Sequence, residues 1–153
     1  MSAFETAAND PALRQLLADA LKAVDGAEGA ILLVSDDGER LRFVVAQSTV
    51  ANALLGLEQP LEKGIVGRSV SLQQPTIVNE AEQEGAFDPS VDAKTGVQTK
   101  SIMVVPLIRS ARGIGALTAI NSTAPTGFSE RDLESYARFA EQIAQRLAQL
   151  DES

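Results

Sequence analysis

Cysteine and histidine are both absent from the 153 residues, and tyrosine occurs once. Those two zeros exclude disulfides, thiolate nucleophiles, Cys or His zinc sites, His-ligated haem and every Ser-His or Cys-His relay. Aromatic residues make up only 4%, so Leu, Ile, Val and Ala must fill the core. Basic residues are also few: 13 Lys and Arg stand against 21 acids, for a net charge of −8. Phosphate recognition depends on clustered Lys and Arg, so binding to nucleic acid or to an anionic membrane surface is not expected. No apolar run approaches the ~18 residues of a membrane span. The N-terminal region carries Glu5, Asp10 and Asp19 without a continuous apolar stretch, unlike a signal peptide, and a cytoplasmic location is expected.

What is present suits one compact domain. The hydrophobic share of 44% and charged share of 22% are ordinary for a globular chain, and a chain of this length buries about 70% of its unfolded surface. A single domain over residues 1–153 is expected.

In "NDPALRQLLADALKAV", Asn9 and Asp10 offer N-caps and Pro11 a first helical residue. Leu13, Leu16, Leu17, Ala20, Leu21 and Val24 then recur at helical spacing. Gly26 and Gly29 are read as its end. "AILLVSDDGERLRFVVA" is read as a β-hairpin turning at Ser35 to Gly38. A short helix is expected within Ala51 to Leu57, closed by Pro60, then a helix from Gly64 that stops at Gln73 to Pro75, and a strand over Thr76 to Val78. The polar stretch from Glu80 to Thr99 reads as a long excursion, which in a compact domain is more often functional than idle. "KSIMVVPLIRS" and "RGIGALTAIN" make a second hairpin, with Pro106 expected at a bulge or edge. Ser129 and Asp132 form a capping-box variant at the start of the last helix. Leu133, Tyr136, Ala140, Ile143 and Leu147 then form a heptad-like apolar seam. These elements add up to an α+β domain with a mostly antiparallel sheet of five or six strands.

With this order in hand, "EKGIVGRSVSLQQPTIVNE", "FDPSVDAKTGVQTKSIMVVPL" and "RGIGALTAIN...FSERD" follow one another as they do in GAF domains, and the chain resembles that family from about Ala12 to Leu147. The resemblance implies a GAF/PAS-like fold. The N- and C-terminal helices would pack on one sheet face, and a lid loop, here Glu80 to Lys100, would hold a ligand on the other. Asn121, Phe128 and Asp132 fall on the family's cyclic-nucleotide signature. Its Lys is Ser122 here and its final Glu is Leu133, so the family's Lys–Asp brace has no counterpart.

In the lid, Phe87 has two readings, as a ring stacking on a flat ligand or as an anchor into the core. Asp88, Thr95 and Thr99 offer polar contacts, while Ile77, Asn79, Ser101 and Met103 are candidates for the sheet floor. Asn121, Phe128 and Asp132 also have structural readings: a backbone bond at the strand end, a plug under the last helix, and a partner for its dipole. "SDDGE" lacks the further ligands of a calcium loop and is read as a turn. No metal, cofactor or catalytic residue is expected. The leading reading is a non-catalytic, small-molecule-sensing regulatory domain in signal transduction, binding a cyclic nucleotide or another small ligand and acting on an unknown signalling partner. The alternative is a ligand-free assembly module with a vestigial pocket. Its homodimer would form through the terminal helices, with Leu133, Tyr136, Ala140, Ile143 and Leu147 of the last one as the seam and the N-terminal helix assisting.

Overall fold

The computed structural model describes residues 2–81 and 98–152. A short helix α1 (Ala3–Ala8) precedes α2 (Pro11–Ala23), which opens on the Asp10 cap and the Pro11 start expected from the sequence. The hairpin follows as β1 (Gly26–Val34) and β2 (Arg40–Gln47), then α3 (Ala51–Leu54) and a three-residue strand β3 (Glu58–Pro60). After α4 (Gly64–Leu72) come β4 (Thr76–Val78), β5 (Ile102–Arg109) and β6 (Arg112–Ser122), and the chain ends in α5 (Glu130–Glu152). The six strands form one sheet in the order β3-β2-β1-β6-β5-β4, with antiparallel pairing throughout.

Gly26 and Gly29 do not terminate α2, as the sequence suggested; Val24 caps it and Asp25 takes the left-handed turn at φ 54°. Both glycines lie in β1, where the absence of a side chain lets α2 sit close. A Cβ on Gly29 would stand 2.6 Å from the Thr118 carbonyl and 2.7 Å from Leu21. Gln73 carries φ 53° at the end of α4, in agreement with the stop expected there. Pro106 lies beyond Val104, the last β5 residue that β4 reaches, and next to the irregularity at Leu107/Ile108, so its missing donor leaves no ladder bond broken on that side.

Both sheet faces are apolar. On one, Ile31, Val44, Val45, Met103, Val105, Leu107, Leu117 and Ala119 meet Leu13, Leu17 and Leu21 of α2 and Tyr136, Ala140, Ile143 and Leu147 of α5. On the other, Ala30, Leu32, Leu41, Ile102, Val104 and Ala116 meet Ile65 and Val70 of α4. A bulge lets β2 serve both clusters: Ile31 pairs with Val45 and Leu32 with Phe43, leaving Val44 as the extra residue. Val44 and Val45 are thus both turned towards the terminal helices, while Leu41, Phe43 and Ala46 face α4.

The terminal helices are locked together by Asp10 and Arg146. The guanidinium donates from Nε to Asp10 Oδ2 at 2.9 Å and from Nη2 to Oδ1 at 2.7 Å, while Oδ2 also accepts the Leu13 N–H at 3.1 Å and so caps α2. The Arg146 hydrogen bonds hold the Asp10 carboxyl below its usual range, helped by the Leu13 N–H and opposed by burial. At the far end of α5, Asp151 pairs with Arg109 in an exposed contact, and Arg42 lies 4.9 Å from the centre of the Phe4 ring of α1.

Arg146→Ala is expected to lower the urea midpoint of unfolding, by less than loss of a fully buried pair would, because the Arg146 side chain keeps 34% of its surface in water. Since the folded carboxyl is depressed, its contribution is present above the unfolded value of about 3.9 and is lost as pH falls through the folded one. Acid titration of stability should therefore show a shallower loss below about pH 4 in Arg146→Ala than in the parent; parallel curves would dismiss the role given to this pair.

Candidate ligand-binding face

The face towards α4 differs from the helix-covered one in its side chains. Ala30, Ala46, Ala116 and Thr118 are small residues in neighbouring positions of the inner strands, flanked by Ile102, Ile120 and Val78. Thr118 is buried, and its Oγ1 lies 3.4 Å from the Ala30 carbonyl. Beside this floor, Glu28 Oε1 accepts the Ser48 hydroxyl at 2.6 Å and the Thr49 hydroxyl at 3.4 Å.

Residues selected from the sequence are distributed differently from the expectation. Ile77 and Met103 pair with each other across β4 and β5, yet both pack into the cluster under the terminal helices, away from α4. Side chains alternate along a strand, so the floor on the α4 side is made by the intervening Val78, Ile102 and Val104. Asn79 is engaged by backbone: it accepts the Phe128 N–H at 2.8 Å and donates to the Phe128 carbonyl at 3.0 Å. Gly127 leaves room for this, because a Cβ there would stand 2.3 Å from Asn79 Oδ1. Ser101 and Thr99 are buried, and Ser101 Oγ accepts the Ser122 N–H at 2.9 Å. Phe87, Asp88 and Thr95 lie outside the described residues.

Asn121 works as a clasp. Its φ of 60° lies in the left-handed region that Asn tolerates better than most residues. From there Oδ1 accepts the N–H groups of Lys100 at 2.7 Å and Ser101 at 3.2 Å, and Nδ2 donates to the Gln98 carbonyl at 3.0 Å. Phe128 is buried in the helix-side core. Asp132 and Ser129 cap α5 reciprocally: Ser129 N–H donates to Asp132 Oδ2 at 2.9 Å, and Asp132 N–H to Ser129 Oγ at 3.1 Å. The three signature residues thus organise the junction of β6, β5 and α5.

The seam on α5 corrects a second expectation. Tyr136, Ala140, Ile143 and Leu147 are buried in the chain's own core and Leu133 packs against it, so these side chains are not exposed to a second copy. Periodicity identified a stripe that needs burial, and α2 with the sheet supplies it. The Tyr136 hydroxyl donates to the Thr118 carbonyl at 2.7 Å, and burial pushes its phenol far above the usual value. Thr118 therefore touches both faces, through its carbonyl on one and its side chain on the other.

Glu28 and Thr118 were not singled out from the sequence. The signal was available: Glu28 is the one charge within "GAEGAILLV", and Thr118 the one hydroxyl within "GALTAI".

The fold and this arrangement define an α+β domain with one sheet face closed by its terminal helices. The chain belongs to the GAF domain family, whose sequence profile matches residues 10–148. Domains of this family commonly have regulatory and sensory roles in signalling. Over 85 residues, 56% of the chain, it is 25% identical to the cone cGMP-specific 3',5'-cyclic phosphodiesterase subunit alpha' of Mus musculus, and that stretch covers 10% of the relative's length. Its fold is similar to the second GAF domain of DevS from Mycobacterium smegmatis, with TM-score 0.74, 20% identity and coverage of 94% of this chain and 96% of the other. It is similar too to the free methionine-R-sulfoxide reductase from Neisseria meningitidis solved with its substrate, with TM-score 0.74, 19% identity and coverage of 98% and 86%. Among the described residues, no helix is long and apolar enough to cross a membrane.

Asn121→Gly keeps the left-handed backbone while removing the side-chain clasp, and is expected to cost about 2 kcal/mol in urea denaturation. A change within a few tenths of a kcal/mol would show that the clasp adds nothing to stability.

Proposed function

We propose that this chain is a non-catalytic sensing domain of signal transduction that holds a small molecule against the sheet face opposite its terminal helices. The observation that carries the reading is the unequal cover of the two faces. Three helices, α1, α2 and α5, contribute side chains to the core on one side. On the other, among the described residues, the cover comes from α4, over a floor of small residues with half-buried Phe43, Val78 and Ile120 at its margins. A shallow apolar floor with a few placed polar groups is the usual character of a small-molecule site.

The absence of catalysis is supported by composition. One structural neighbour is a methionine sulfoxide reductase, and sulfoxide reduction of the kind found in this family depends on cysteine thiolates. This chain has no cysteine to supply one, and no histidine for a nucleophile–base relay. A cyclic nucleotide is the ligand suggested by similarity to a cGMP-specific phosphodiesterase; the missing Lys–Asp brace, with Ser122 in place of Lys, weighs against it. Assembly with a second copy would have to use a surface other than the inner seam of α5, which is already filled.

The test is thermal unfolding against a panel of cAMP, cGMP, purine bases and free amino acids. A true ligand at a hundredfold excess over its Kd adds about 2.7 kcal/mol, or roughly 5–10 °C in Tm for a domain of this size. Absence of any shift, together with a ligand-free mass in native spectrometry, would sink the sensing reading.

A further inference from the structure

We infer that the α4-side face carries a subsite for an ammonium group, built on Glu28, and that its ligand class is a small organic cation with a compact apolar body. The inference rests on the reading of this face as the ligand-holding one and names the chemistry it would select.

Glu28 is half-buried near the start of β1, on the side of the sheet shared by Ala30 and Leu32. Its position is fixed by a short relay: the Val50 N–H donates to Ser48 Oγ at 3.1 Å, and the Ser48 hydroxyl donates to Glu28 Oε1 at 2.6 Å. Thr49 adds a second hydroxyl to the same oxygen. Both donors therefore converge on Oε1, and Oε2 accepts no hydrogen bond from any described residue. A carboxylate that served only to staple β1 to the approach of α3 would need nothing more. One held in a single orientation with a free oxygen is preorganised for a donor that arrives from outside.

The surroundings specify that donor. Glu28 pairs with Ile120, Ile120 with Ile102, and Ile102 with Val78, so one row across the sheet runs from a carboxylate to three branched aliphatic side chains. Strands stand about 4.8 Å apart, so the row from Glu28 to Ile102 spans roughly 10 Å. None of the strand residues turned towards this face is Lys or Arg: they include Glu28, Ala30, Leu32, Val34, Leu41, Phe43, Ala46, Thr76, Val78, and the alternating apolar and hydroxyl positions of β5 and β6. A phosphate placed here would meet a carboxylate and no strand-borne cation, inside a molecule of net charge −8. An ammonium would gain a charge-assisted hydrogen bond at Glu28 while its carbon body covers Ile120 and Ile102.

Calorimetric titration with matched probes separates the possibilities. The probes are 3-methylbutylamine and 2-phenylethylamine, the carboxylates of similar shape 4-methylpentanoate and 3-phenylpropanoate, and cGMP. The inference expects one or both amines to bind and the carboxylates not to. Glu28→Gln should weaken the amines by about tenfold or more, and Ser48→Ala by a smaller factor. Gln retains an acceptor for Ser48 and Thr49, so the unliganded Tm of Glu28→Gln should stay close to the parent's. Tight binding of a carboxylate or of cGMP with no amine binding would overturn the inference and leave the sensing reading standing. Amine binding unchanged in Glu28→Gln would overturn it as well, by placing the cation elsewhere. If none of the five probes binds the parent protein, the ammonium subsite is rejected, and the sensing reading is then decided by its own wider panel. The amine-against-carboxylate comparison needs no variant, so the test survives a folding defect in either mutant.

Discussion

The ion pair between Asp10 and Arg146 joins positions 136 residues apart, and it ties together the two helices whose apolar faces cover one side of the sheet. A sheet that is apolar on both sides must be covered on both. Here the first and last long helices meet over one face, and the carboxylate that caps α2 is the one that the α5 guanidinium grips. With the ends closed over this face, the apolar stripe of α5 is consumed internally, and among the described residues the side towards α4 has the lighter helical cover.

The polar residues near the junction of β4, β5, β6 and α5 illustrate how easily architecture passes for a binding signature. Asn79 bonds both backbone groups of Phe128, and Asn121 gathers three groups from residues 98–101. An amide side chain carries one acceptor and two donors and so imitates a peptide group where no strand is available to supply one. Such residues hold the rim in shape. In the reading proposed for this face, selectivity would fall instead to groups with hydrogen-bonding capacity left over, such as Glu28.

Much of the fold was legible because its signals are local. The Asp10 cap with Pro11, the Ser129–Asp132 box and the αL stop at Gln73 each act over a few residues, and each marks the boundary it was read to mark. The elements missed, α1 and β3, span six and three residues and carry too little periodicity to register. The face assignment of Ile77 and Met103 failed for a different reason. "IMVVPLI" is apolar at every position because β5 is buried on both sides, so no alternation reveals which parity meets the helices. The stripe on α5 was correctly seen as a surface in need of cover, but periodicity carries no information about whether a neighbour or a second copy supplies it.

Tyr136 is the chain's single tyrosine, and there is no tryptophan. The near-ultraviolet absorption and emission of this protein beyond the weak phenylalanine bands therefore come from one phenol, wedged between α5 and β6 and bonded to the carbonyl of a residue whose side chain faces the opposite side of the sheet. Burial holds the folded phenol above its usual range, so it keeps its proton further into the alkaline range than a solvent-exposed tyrosine would. Evolution has left the molecule with an intrinsic chromophore at the contact between sheet and last helix, where a spectrum recorded without any label reads the coupling of the two.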